Sequence, residues 1–263
     1  MRHFVQRLIV AAGALLLTGC LWGPGKFASD LTLKKDGSFV LDYRGEIVLQ
    51  TPPDANQPDP WTASMAHCSD SSGKDRTCAA TEIATQKDEY EKNAGQKRRQ
   101  TEEMAKAFGL PGLDDASNRA FAAKLMKYAG WRSVAYRGQG VFDVDYHFEG
   151  RATQDFLFPA LPDNDLIIPF IAVRRRADGS VLVTAPAMTG GAGPLAARAG
   201  AAAASEMKGG PISKAQGRFT VITDGEVLTN NSEDGSAPHP IGRQVHWDVG
   251  PGSSKIPETL IRL

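Results

Sequence analysis

Three groups of side chains in this sequence have the types and spacings to do chemistry. Residues 141–149, VFDVDYHFE, alternate apolar and polar, so Asp143, Asp145, His147 and Glu149 share one face of a predicted strand. Alternate residues on one side of a strand lie ~6.5–7 Å apart, a spacing at which acids and a histidine could hold a cation. The same row is the ordinary wet face of a half-buried antiparallel strand, and the loop ligands of a built site are missing, so no metal is expected. Cys68 and Cys78 enclose nine polar residues with no core of their own. In an oxidising compartment such a pair is expected as a disulfide, and a zinc site would need more ligands than these two and His67. His67, His147, His239 and His246 have no recognisable nucleophile beside them, and G-x-S-x-G, P-loop, dinucleotide and H-E-x-x-H patterns are absent. No catalytic residue and no cofactor is therefore assigned. Because a triad can assemble from distant residues, a hydrolase with a scattered site stays as the alternative.

Cys20 belongs to a different chemistry. The first residues carry Arg2 and Arg7 without an acid, an uncharged run covers residues 8–17, and Thr18-Gly19 precede the cysteine. A charged start, a short apolar core and small residues at a cut site mark an export signal. The run is too short to cross a hydrocarbon core, which needs roughly 20 residues. Leu17-Thr18-Gly19-Cys20 resembles the lipobox of bacterial lipoproteins. That resemblance implies cleavage before Cys20, a diacylglyceryl group on its sulfur, and attachment to a membrane through that lipid. Leu21 stands where inner-membrane retention would use Asp, which favours the outer membrane, with the folded part outside the cytoplasm.

Removing residues 1–19 leaves 28 basic against 30 acidic residues, a net charge of −2. Such a chain lacks the basic surface that phosphates demand, so nucleic acid is not an expected partner. Arg174, Arg175 and Arg176, like Lys97, Arg98 and Arg99, read as solvated faces.

The elements that must position these groups are mostly strands. After a Gly/Pro tether at 20–28, strands are expected at 31–33, 39–43 and 46–49, the first two joined through Asp36-Gly37, a turn pair that tolerates positive φ. Residues 81–108 read as a largely exposed helix with a thin stripe of Ile83, Tyr90, Met104 and Phe108. A second helix, capped by Asp114 or Asp115, runs to about 128. Hairpins follow at 131–149 and 167–185, then strands at 219–223, 226–228, 244–249 and 259–263. This predicts an α+β fold, a largely antiparallel sheet built from hairpins with two helices inserted around 81–128, as a single domain over 29–263. Residues 186–204 are mainly Ala and Gly with one charge, Arg198. They read as a loop within 186–208, or as an apolar flap that touches lipid or covers a pocket. Met188 and Leu195 in that segment, with Trp247, are the candidate binding residues. Val245, Trp247 and Val249 point the same way, which suits a core anchor for Trp247; the other reading places it at a ligand pocket.

The tail, Gly225-Glu226-Val227 followed by Asn230-Asn231 and Gly242-Arg243-Gln244-Val245-His246-Trp247, resembles the closing hairpin of LppM-type bacterial lipoproteins. Gly25-Lys26-Phe27 to Leu33, Asp36-Gly37-Ser38 and Gly45-Glu46-Ile47 are similar to the start of that group. The resemblance covers the two ends of the chain and implies an α+β lipoprotein domain without established catalysis. The expected function is a non-enzymatic envelope module that binds lipid, another apolar molecule or a protein partner. A purely structural envelope protein is the third class.

Overall fold

The computed structural model describes residues 22–49, 60–107, 111–112, 114–160, 169–189 and 215–263. Cys20, Leu195 and Phe108 lie outside the described residues.

Alternating burial builds the first sheet. β1 (Trp22–Leu33) and β2 (Ser38–Leu49) form a long antiparallel hairpin in which Leu31, Leu33, Phe39, Leu41 and Tyr43 are buried. β5 (Trp131–Gly138) and β6 (Val141–Arg151) extend it on one side. On the other side come β10 (Gln216–Thr223), β13 (Gly242–Val249) and β12 (Ser236–His239), giving the order β12-β13-β10-β1-β2-β6-β5. A second sheet has the order β11-β14-β9-β8-β7, from β7 (Phe156–Phe158), β8 (Ile171–Arg175), β9 (Val181–Thr184), β11 (Glu226–Asn230) and β14 (Glu258–Arg262). Aromatic side chains join the two sheets: Phe158 lies 5.1 Å from Tyr43 and 4.5 Å from Tyr146 between ring centroids, and Phe156 lies 4.9 Å from Phe39. Such pairs contribute ~0.5–1.5 kcal/mol beyond the area they bury.

The predicted class, an α+β fold with mostly antiparallel sheets, is what the structure has. One pairing departs from it: β1 and β10 run parallel, Lys26 opposite Gln216 through Leu33 opposite Thr223. Two α-helices among the described residues follow the loop between β3 (Cys68–Ser69) and β4 (Asp75–Arg76). α1 (Ala80–Ala107) is exposed along most of its described length, whereas α2 (Asp115–Leu125) buries Phe121, Ala122 and Leu125. Asp114 caps α2, its carboxylate accepting from the Ser117 N–H at 2.8 Å, which satisfies one orphan donor of the first turn.

Several boundaries need correcting. The tether at 20–28 does not stay a tether: its residues from Trp22 are strand β1, with Trp22 and Phe27 buried. The apolar anchors pull the Gly/Pro stretch into the sheet, and a bulge between Pro24 and Phe27 absorbs it. Gly45 sits opposite that bulge at φ +141°, where a Cβ would lie 2.2 Å from the Lys26 carbonyl oxygen. Glycine therefore carries β2 through as one strand where a break between 43 and 46 is predicted. The tail is not one hairpin either. β11 pairs with β14 in the second sheet, while β13 pairs with β10 and β12 in the first. β7 and β12 are unpredicted; both are short, and β12 carries Pro238 at the sheet edge, where a missing N–H is tolerated.

Candidate functional site

The bond between Cys68 and Cys78 is present, with an S–S distance of 2.04 Å. It closes the loop that holds β3 (Cys68–Ser69) against β4 (Asp75–Arg76). The loop then clamps the start of α1. Arg76 donates two hydrogen bonds to the Glu82 carboxylate, and Glu82 reaches back to accept from the Ala79 N–H at 2.8 Å. The Arg76 guanidinium, with that backbone N–H, pulls the Glu82 carboxyl down to about 2. Gln86 bonds the His67 backbone in both directions. Cys68, Cys78 and Glu82 converge, yet the sulfurs are bonded to each other and the carboxylate is held by Arg76, so this cluster has no metal-ligand set to offer.

The acid–histidine row of β6 is drawn into cross-strand pairs. His147 Nδ1 lies 2.7 Å from an Asp42 oxygen on β2, and its Nε2 lies 3.3 Å from Glu149. The Asp42 carboxylate, and then Glu149, favour the charged ring, so the His147 pKa is raised. Arg137 donates to Asp143 at 2.7 Å, and Arg44 pairs with Asp145 at 3.6 Å. Arg44 and Asp42, absent from the sequence reading, are the cross-strand partners that make this face an ion ladder, and among the described residues its acids and histidine do not converge as a cation's ligands would.

A cleft of about 260 Å³ lies where β13 and the end of β11 meet the chain after β9 and the turn before β14. Of the three candidate binding residues it brings together two, Met188 and Trp247. Trp247 is half-buried where a core position is one of its two readings; Val245 and Val249 are buried. Its ring stacks on Phe219 at 5.6 Å, and its indole N–H donates to Asn231 Oδ1 at 2.9 Å. The same Asn231 oxygen accepts from the Glu258 N–H, and its amide donates to the Ile256 carbonyl. One asparagine therefore holds the tryptophan edge and both flanking loops, a role that its spacing in sequence does not announce. Met188 is fully buried at the cleft floor, and Thr189 beside it is buried as well.

Part of the polar rim is self-paired. His246 Nε2 lies 3.1 Å from Asp234, and Arg218 grips Asp248 with two bonds at 2.7 and 2.9 Å, which lowers the Asp248 pKa. The Ser232 hydroxyl donates to the His246 carbonyl, and the Ser253 hydroxyl to the Asp248 carbonyl. Among the described residues no serine hydroxyl bonds the His246 ring, so histidine, acid and nucleophile share the cleft without forming a relay. An aromatic flank with fixed acids and Lys255 suits recognition of a polar group.

No helix among the described residues is long and apolar enough to cross a membrane. No protein-family model, curated protein or solved structure matches the chain.

Proposed function

We propose that this chain is a lipid-anchored envelope protein, cut before Cys20 and acylated on that sulfur, whose β-rich domain acts outside the cytoplasm by binding. The observation that carries the reading is the burial of Trp22, two positions after Cys20 in sequence. Trp22 is already strand and 3% exposed, so a cut before Cys20 removes the signal-like residues and leaves β1 whole. The Cys68–Cys78 bond supports the same address, since disulfides persist in oxidising compartments. Membership of an LppM-like group belongs to this proposal too, although β11 and β13 lie in different sheets and the tail resemblance is therefore of sequence rather than of one hairpin.

Two or three acyl chains on Cys20 anchor stably, because each buried CH₂ contributes ~0.8 kcal/mol. Leu21 directs the protein to the outer membrane in this reading. The cleft around Trp247 is where a partner docks. Its acids and lysine favour a polar segment of an envelope protein over an acyl chain. The Ser232 and Ser253 hydroxyls, which donate to backbone carbonyls, support binding over catalysis.

Cys20→Ala tests the anchor. The variant is expected in the soluble fraction or as the uncut precursor. Fractionation with the membrane at the mature size would overturn the proposal.

A further inference from the structure

The end of the fold nearest Cys20 has a definite composition. Trp22 pairs with Leu49, Val48 pairs with Val141, and the Leu49 N–H donates to the Gly140 carbonyl at 2.7 Å. The β5–β6 turn at Gly138, Gln139 and Gly140 therefore lies beside the first residue of β1, and Gln139 is exposed there. α2 closes the same end, with Phe121 5.3 Å from Trp22 between ring centroids. The opposite end of the β1–β2 hairpin is the turn at 34–37, ~40 Å away for twelve residues of strand.

Only Leu21 lies between Cys20 and Trp22, a reach of at most ~7 Å in extended chain. Trp22 itself is pinned between Phe121 and Phe142, so it has no slack to lend.

We propose that the Trp22 end of the domain, with Leu49 and the 138–140 turn, rests directly on the phospholipid headgroup plane, leaving no tether between lipid and fold. This rests on the acylation of Cys20 proposed above. At this end Arg137 pairs with Asp143 and Arg119 with Asp115, and the contact is set by chain length rather than by attraction to anionic lipid. The fold is thereby held in one orientation, and the 34–37 turn faces away from the bilayer.

Fluorescence transfer to lipid headgroups tests this with the full acylated chain. With Cys20 acylated and Cys68 bonded to Cys78, a cysteine introduced by Gln139→Cys or Lys35→Cys is the free thiol for a dye. In phosphatidylcholine vesicles carrying a headgroup acceptor, transfer from position 139 is expected to exceed that from position 35 several-fold. Inserting about twenty Gly/Ser residues between Leu21 and Trp22 should bring that ratio towards one while the acyl mass stays unchanged. Equal transfer from both positions in the acylated, uninserted protein would overturn the inference, as would a difference seen only on anionic vesicles. A chain that lacks the acyl mass overturns the anchoring proposal, and this one with it.

Discussion

The sheet core and the Cys68–Cys78 loop with α1 are held by different forces. In the core, Phe158 touches Tyr43, Trp131, Tyr146 and Phe170, all from separate strands or the chain beside them, and apolar burial supplies the cohesion. In the loop, Cys68 is the buried residue, and a covalent bond, the Arg76–Glu82 pair and the Gln86–His67 bonds take its place. α1 presents mostly polar side chains, with Tyr90 against Trp61 at 5.4 Å as its aromatic contact. The difference teaches why the compartment matters. The core would form wherever the chain folds, whereas the loop depends on an oxidising environment.

The largest effect that sharpens this comparison is Phe158→Ala, expected to cost ~3–5 kcal/mol because it empties a site shared by both sheets. Urea unfolding followed by tryptophan fluorescence should show one shifted global transition. A shift under 1 kcal/mol would break the account of the core. Next comes Cys68→Ser with Cys78→Ser. The chain-entropy model gives ~2–3 kcal/mol for a loop of this length, and that loss is expected to stay local. Amide exchange should rise at the start of α1 while β1, β2 and β6 keep their protection. Uniform loss of protection would mean that the loop and core form one cooperative unit.

Smaller effects come from titration. Glu82 is depressed to about 2, so the pairing it supports is present above the ordinary carboxylate value and is lost as pH falls through about 2. Protection of the Ala79 amide, taken relative to its intrinsic exchange at each pH, should therefore fall between about pH 4.5 and 2; a fall already at pH 6 would contradict the Arg76 pairing. His147 behaves in the opposite sense. Its folded pKa is raised by Asp42, so its contribution is full below about 6.5 and is lost as pH rises through the folded value. For a partly exposed pair this is ~0.2–1 kcal/mol, and Asp42→Asn should remove most of it, leaving the smaller Glu149 contribution, in stability measured from pH 5 to 9.

How far the sequence could be read follows from how local each signal is. The alternation in residues 141–149 gave β6 and its two faces, because period 2 is written in neighbouring residues. The Asp114 cap and the hairpin turn at 138–140 were legible for the same reason. The parallel pairing of β1 with β10 was not, since its partners are some 190 residues apart and nothing in either strand records the other. The run from Trp22 to Ala28 misled because Gly and Pro usually loosen a chain, while here a bulge opposite Gly45 keeps them in register. The cleft was half legible. Trp247 and Met188 stood out by type, but Asn231, Asp234 and Lys255 reach it only through the junction of two sheets. Leu195 lies outside the described residues.

The loop's need for an oxidising compartment ties it to the proposed export, and one measurement bears on that most directly. Mass spectrometry of an unreduced digest, made from protein purified out of its native membrane, reads the N-terminus and the disulfide together. The account predicts a first residue Cys20 carrying a diacylglyceryl group, with or without an acylated amine, and a peptide pair joined through Cys68 and Cys78. An N-terminus elsewhere, or an unmodified Cys20 in the membrane fraction, would contradict it.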